Sequence, residues 1–539
     1  MMMDTQLLLP LMMERAEKLF PKKEVVSRTH SFIRTFTYLE IAKRTRKLAS
    51  VLKRLGVEKG DKVGTLAWNH HRHLEAYFAI PSIGAVLHTV NLRLSPQHIS
   101  YIINHAEDRF IFVDEDMVPV LEQIQHELSH VQAFIIMTDQ PEIPQTSLTP
   151  VYHYEQLLEE GDETFPFVKD MDELDPAGMC YTSATTGDPK GVIYTHRSIT
   201  LHSYALGLVD GGNLSETDVC MPVVPMFHVN AWGLPFACTW FGTKLVLPGP
   251  HFNAAILADL IQQEKVTVTA GVPTIWIDML QEIEQKHRDI SSLKSIWAGG
   301  SAAPKSMIET YEETFKIDFR QIYGMTETSP AVIFNRLKSY QKNVSKDEYY
   351  ELRTRQGYII PGIEMKVIGS EGETKWDGND MGELCLRGPW IAGSYYNDDR
   401  TEDSMKDGWL HTGDVVTVDE EGFVKIADRT KDLIKSGGEW ISSIDLENAL
   451  MAHEAILEAS VIAVPHVKWQ ERPLACVVLK ESHKGSVSKE DLYEFLIPQF
   501  AKWWLPDDII FMEEIPKTSV GKFLKRALRD ELKSYLLKA

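Results

Sequence analysis

The chain has 539 residues, 44% hydrophobic and 25% charged, the balance of a globular protein too long for one core. Its formal net charge of −21 argues against a nucleic-acid partner, which would select a basic surface. Five scattered cysteines (Cys180, Cys220, Cys238, Cys385, Cys476), none in a C-x-x-C pair, argue against a zinc site or disulfide framework and suit a reducing cytoplasm.

Residues 7–13 form an apolar patch broken by Pro10, without a basic leader or a small-residue cleavage site. They read as an amphipathic or docking segment, not a signal peptide. No run of eighteen apolar residues occurs, so no transmembrane segment is expected, and Leu-Leu-Lys-Ala539 is not a peroxisomal address. Residues 37–55 read as a helix and 62–67 as the strand after it. A buried strand at 177–181 leads into Tyr181-Thr-Ser-Ala-Thr-Thr-Gly-Asp-Pro-Lys-Gly191, and a helix is expected at 197–208.

That loop holds Thr182, Ser183, Thr185, Thr186, Gly187 and Lys190. Its hydroxyls, free backbone N–H groups and ammonium suit a phosphate. It is not a Walker A loop, because Asp188-Pro189 separates Gly187 from Lys190-Gly191. A polar surface turn explains the loop alone equally well.

Further on, Met226-Phe-His228-Val-Asn-Ala-Trp232 offers His228 as a histidine near chemistry, or simply as a core histidine, with Trp232 as gate or as packing. A helix at 254–264, a strand at 266–270 and another at 295–298 continue the alternation. The last ends in Gly299-Gly300-Ser301. A strand at 319–322 runs into Tyr323-Gly324-Met-Thr326-Glu327-Thr328, where Glu327 can meet Mg²⁺ and Tyr323 a base. The same residues would also serve a plain helix N-terminus. Asp414, in His411-Thr-Gly-Asp, reads as a ribose ligand or a turn residue. Alternating elements imply an α/β fold of mostly parallel, layered sheets with ligands at the strands' carboxyl ends.

After about residue 428 the texture shortens. Strands at 457–464, 474–480 and 509–512 and helices at 489–502 and 523–537 imply a small α+β domain. Lys522 follows Gly521 in a turn, where a lysine is ordinarily solvated surface but has the reach to enter a neighbouring cleft.

Taken together and in this order, these stretches resemble the adenylate-forming superfamily of acyl-CoA synthetases, luciferases and peptide-synthetase adenylation domains, over roughly residues 36–532. The wording around residues 224–232 and 435–443 is similar to bacterial medium- and long-chain fatty acyl-CoA synthetases. The resemblance implies a large domain at 1–428, a hinge at 429–431 centred on Lys431, and a mobile lid at 432–539. It implies ATP, Mg²⁺ and coenzyme A, with a fatty acid as the acid substrate.

On that resemblance residues 181–191 hold phosphates, with Thr182 and Glu327 as metal ligands. Gly299, Gly300, Ser301 and residues 323–328 hold adenine and Mg-ATP. Asp414 and Arg429 hold ribose, and Lys435 and Trp440 also belong to the nucleotide site. Lys522 enters for adenylation, Ser436, Gly437 and Gly438 line the thiol's path, and Trp232 closes the acyl tunnel. A homodimer in the cytoplasm is implied, with transient membrane contact because long-chain acids partition into bilayers.

One departure is Ala184, where the family usually has glycine. Alanine lacks glycine's freedom at positive φ, so a stiffer loop is expected. His228 after Phe227, where an amino-acid-activating domain carries an acidic residue, argues against that subfamily. An aromatic-acid ligase and a catalytically idle nucleotide-binding scaffold remain as alternatives.

Overall fold

The computed structural model describes residues 2–182, 188–436, 439–518, 521–533 and 535. Continuous apolar runs such as Phe110-Ile-Phe-Val113 are buried on both faces, as parallel strands covered by helices must be. Lys62–Leu66 sits inside a seven-stranded sheet, parallel to Val86–Thr89 on one side and Asp108–Asp114 on the other. Pro176–Tyr181 runs parallel to Val86–Thr89, and Gly191–Thr195 folds back antiparallel on it, pairing Tyr181 with Gly191. A nine-stranded sheet has a parallel centre of Lys244–Leu247, Val219–Pro222, Val268–Gly271, Ser295–Gly299 and Asp318–Gly324, with antiparallel strands at both edges.

One core joins the two sheets. Tyr77 and Phe78, from helix His71–Ala79, pack on Phe236 of helix Leu234–Phe241 with ring centroids 5.2 and 5.6 Å apart. Helix Tyr38–Arg54 starts where Thr37 and Glu40 satisfy each other's backbone N–H groups, and it buries Ile41, Leu48 and Leu52. The N-terminal apolar patch becomes helix Pro10–Leu19, which docks Met12, Met13 and Ala16 into this core against helices Tyr38–Arg54 and Leu234–Phe241. Among the described residues no helix is long and apolar enough to cross a membrane.

Several expectations need correction. The hydroxyl-rich loop is the tip of an antiparallel hairpin, since strand Gly191–Thr195 intervenes before helix His196–Gly207. A third, six-stranded sheet is antiparallel throughout, which helix–strand alternation does not foretell. Its strand Trp409–Val418 contains Asp414, so that residue is not in a loop turn.

The last strand of the third sheet ends at Arg429, and the next strand, Ile434–Ser436, belongs to a fourth sheet with Ile456–His466, Gln470–Leu479 and Asp508–Phe511. The helix expected at 489–502 stops at Leu496, because the Pro498 ring would clash with a preceding helical carbonyl. The one expected from 523 begins at Lys525, because Phe523 is spent in a bridge to Lys517.

The carboxyl ends of Pro176–Tyr181, Ser295–Gly299 and Asp318–Gly324 face one crevice, as the topology requires. At its rim Gly324 tolerates no side chain, since a Cβ there would fall on the Pro330 carbonyl oxygen. Gly324→Ala should lower stability by about 1–3 kcal/mol, the range for overpacking, read as a reduced urea midpoint at unchanged slope.

Candidate active site

The hairpin loop is closed at its base from both sides. Thr182 N donates to the Lys190 carbonyl at 2.9 Å, and Lys190 N donates to Thr182 Oγ1 at 3.0 Å. Thr182 and Lys190 thereby share one side of a cavity of about 560 Å³. Ser183, Ala184, Thr185, Thr186 and Gly187 lie outside the described residues.

Across the cavity stands Glu327, in a short helical turn after strand Asp318–Gly324, 4% exposed. Tyr395 links it to the loop: its hydroxyl donates to Glu327 Oε1 at 2.6 Å while Lys190 Nζ sits 4.1 Å from its ring centroid. Burial lowers the Lys190 ammonium from its ordinary pKa, and the Glu327 carboxylate opposes that shift. A buried carboxylate and a threonine hydroxyl lining one cavity are hard-oxygen donors, which suit Mg²⁺ once phosphates supply the remaining ligands.

Asp414 is held from two sides. The Tyr323 hydroxyl donates to Oδ2 at 2.7 Å, and Arg429 Nε lies 3.2 Å from Oδ1 across the strand pair. Asp414 raises the pKa of the Arg429 guanidinium further. The Tyr323 ring is packed in the core, and its hydroxyl positions Asp414.

Lys522 comes from the far end of the chain. Gly300, at φ +88°, leaves a gap that the lysine stem fills: a Cβ there would lie 2.7 Å from Lys522 Cε. Desolvation, with Arg429 nearby, pushes the Lys522 ammonium down to about 8. Burial, with Lys522 and Arg93 adding to it, drives His228 down to about 3, so its imidazole is neutral at physiological pH and offers hydrogen bonds without charge.

Trp232 closes a run of non-glycine residues with left-handed backbone: Val229, Asn230, Ala231 and Trp232 have φ from 44° to 56°. Each such residue costs about 1–2 kcal/mol, and for a branched valine the conformation is an outlier. Strain of this kind is retained where surrounding structure enforces it, commonly beside a functional site. Here it places the Trp232 ring against Gly299.

The cavity thus gathers Thr182, Lys190, His228, Trp232, Gly299, Gly300, Gly324, Thr326, Glu327, Arg429, Lys431 and Lys522 on its wall, with Asp414 bonded to that wall. Ser301 is exposed beside it and takes no part in the lining. Lys435, Ser436 and Trp440 are placed elsewhere, on a hairpin of the fourth sheet. Lys435 Nζ lies over the Trp440 ring at 4.5 Å, and Ser436 Oγ accepts from Arg472. Gly437 and Gly438 lie outside the described residues. Residue reading missed Tyr395 and Arg93, both on the cavity wall. Neither sits in a glycine-punctuated strand end, and only the fold carries them there.

Residues 13–396 match the AMP-binding enzyme family, and residues 445–522 match the AMP-binding enzyme C-terminal domain. The chain is 50% identical to a long-chain-fatty-acid–CoA ligase of Thermus thermophilus, covering 99% of this chain and 97% of that one. It is 41% identical to a 3-methylmercaptopropionyl-CoA ligase of Ruegeria lacuscaerulensis, over 99% of both. An anthranilate CoA ligase holding anthranoyl-AMP shares the fold, with a TM-score of 0.87 at 24% identity over 98% of both chains.

The docked Lys522 holds its proton less tightly than a free lysine, whose ordinary pKa is 10.5. Between about pH 8 and 10.5 docking therefore releases a proton, so without ligand it is weakest below pH 8 and strengthens as pH rises through that window. Acylation of Lys522 by an amine reagent, followed by peptide mapping, should show a midpoint about two pH units below that of the exposed lysines.

Proposed function

The chain belongs to the AMP-binding enzyme family, and on that premise we propose that it is an ATP-dependent ligase joining a medium- or long-chain fatty acid to coenzyme A. The observation that carries this reading is one cavity with two chemistries on its wall. Lys190, Glu327, Arg429 and Lys522 offer charge to a nucleotide, while Val224, Val229, Trp232, Phe252 and Ile275 offer an apolar wall to an acyl chain.

A carboxylate does not react with a thiol at neutral pH, because oxide is a poor leaving group. In the first half-reaction a carboxylate oxygen attacks the α-phosphorus of ATP, and the bond to pyrophosphate breaks. Lys522 bridges the attacking oxygen and the α-phosphate, where negative charge crowds, and the neutral His228 adds a hydrogen bond. The loop at 182–190 holds the β- and γ-phosphates, and Asp414 accepts from the ribose hydroxyls. Glu327, with Thr182, would hold Mg²⁺, which offsets phosphate charge when bound.

In the second half-reaction the thiolate of coenzyme A attacks the acyl carbon and AMP leaves. Lys522 must first withdraw. We place the boundaries at residues 1–428 for the large domain, 429–431 for the hinge and 432–539 for the lid. Rotation about Lys431, which lies at the crevice and follows the last strand of the third sheet, would exchange Lys522 for the hairpin bearing Lys435, Ser436 and Trp440. A cytoplasmic homodimer that touches membranes transiently fits this reading, on family resemblance.

A second reading, a ligase for a short thioether acid, is favoured by the Ruegeria relative. ATP–pyrophosphate exchange separates the two: dodecanoate or palmitate should support exchange, and 3-methylmercaptopropionate, benzoate and amino acids should not. Exchange with the thioether acid alone would favour the second reading, and exchange with no acid would sink both. Lys522→Ala should slow exchange by roughly 10²–10³-fold, the loss typical of one preorganised charge donor. It should leave transfer from synthetic acyl-adenylate to coenzyme A within about threefold, because that step proceeds with Lys522 withdrawn.

A further inference from the structure

Outside the proposed chemistry, three separate segments bring together two imidazoles and one carboxylate. His30 lies in the turn between strands Glu24–Arg28 and Ile33–Thr37, Asp116 in the turn Glu115–Met117, and His251 in the loop before helix Ala254–Glu264. His30 Nε2 is 3.4 Å from Asp116 Oδ1, and His251 Nε2 is 2.9 Å from Asp116 Oδ2. One nitrogen or oxygen from each of the three falls within 4.8 Å of the other two.

We propose that His30, Asp116 and His251 form a binding site for a divalent transition-metal ion of the zinc type. Zinc takes imidazole nitrogen and carboxylate oxygen at about 2.0–2.2 Å, so tetrahedral ligands stand roughly 3.4 Å apart. The His30 Nε2–Asp116 Oδ1 separation of 3.4 Å already matches that, and His251 Nε2, hydrogen-bonded to Oδ2 at 2.9 Å, would move back by about half an ångström to admit an ion. The donor set of two imidazoles and one carboxylate favours zinc, cobalt or nickel over magnesium. His251, 64% exposed in its side chain, leaves the fourth position open to water.

The surroundings orient these groups. Trp68 Nε1 donates to Asp116 Oδ2 at 3.0 Å, which fixes the carboxylate as an outer partner of a metal ligand would. His251 is held at φ +49° in a loop pinned by Arg28, which donates to the Pro248 carbonyl at 2.9 Å. His251 hydrogen-bonds Asp116 Oδ2, and the Asp116 carboxylate raises the pKa of His30. Asp116 Oδ1 is buried 3.4 Å from His30 Nε2 yet makes no hydrogen bond, and a cation between the two imidazoles would satisfy it.

The site also touches the cavity at one remove. Phe252, next to His251, lines the cavity, as does Arg93, whose guanidinium lies 5.7 Å from the Trp68 ring centroid. A bound ion would tie this wall to the edge hairpin carrying His30.

The test is titration of the chelator-stripped, full-length protein with Zn²⁺ by calorimetry and with Co²⁺ by visible absorption, without nucleotide. The expected result is one equivalent bound with proton release, and a cobalt spectrum of nitrogen and oxygen ligands. His251→Ala and His30→Ala should each weaken binding by at least about tenfold. Asp116→Asn should do the same with the native circular dichroism spectrum kept.

No stoichiometric binding, or unchanged affinity in His251→Ala, would overturn the proposal. A thiolate-to-cobalt charge-transfer band would overturn it too. That band would assign the ion to Glu383, Cys385 and His411, the other such cluster among the described residues.

Discussion

The seating of Lys522 over Gly300 is the contact on which the closed site depends. Gly300 can accept the lysine stem only because it has no Cβ, and its positive φ excludes most other residues from the position. With the stem in place, Lys522 becomes part of the wall of the crevice behind three strand ends. The same burial that closes the cavity lowers the proton affinity of the ammonium to about 8. At neutral pH a lysine so tuned is still mostly protonated, and an approaching α-phosphate would stabilise its charge and tighten the seat. Closure and charge are thus one event, not two.

Around that seat the protein gathers cations among carboxylates. A chain with net charge −21 assembles Arg93, Lys190, Arg429, Lys431 and Lys522 on one cavity wall. The acidic partners are placed where they orient cations: Asp414 holds Arg429, and Glu327 is bridged to Lys190 by Tyr395. Tyr395 therefore couples two motifs 137 residues apart in sequence through one ring and one hydroxyl. The left-handed turn from Val229 to Trp232 is the strained counterpart of this charged half. It holds an indole at the junction between polar and apolar walls, where unstrained helix would point it elsewhere.

The proposed exchange of Lys522 for a different surface in the thiol step would need few backbone changes. The third sheet ends at Arg429 and the fourth begins at Ile434, so a short exposed junction joins two bodies with separate cores. Lys435, Ser436 and Trp440 lie just beyond that junction and away from the cavity. Their position is what a lid docked through its other face would produce.

Much of this was legible in the order of residues. Period and punctuation placed helices Tyr38–Arg54 and Ala254–Glu264 and the strands ending at Tyr181 and Gly299, because each buries its apolar face within a local stretch of chain. Strand-end glycines with hydroxyls and one charge marked Thr182, Lys190, Gly300 and Glu327, since binding chemistry needs those groups on turns that face a crevice. Local pattern failed where a long-range partner decided. Strand Gly191–Thr195 exists because Pro176–Tyr181 offers it an edge, and Trp409–Val418 because antiparallel neighbours lie on both sides. Tyr395, the left-handed turn at Trp232 and the meeting of His30 with His251 carry no local signature, because each is fixed by contacts with segments distant in the chain. Composition and spacing determined which chemistry this protein carries; only packing decided which of its side chains meet, because conformations that local preference disfavours or leaves open are selected by the neighbours that surround them.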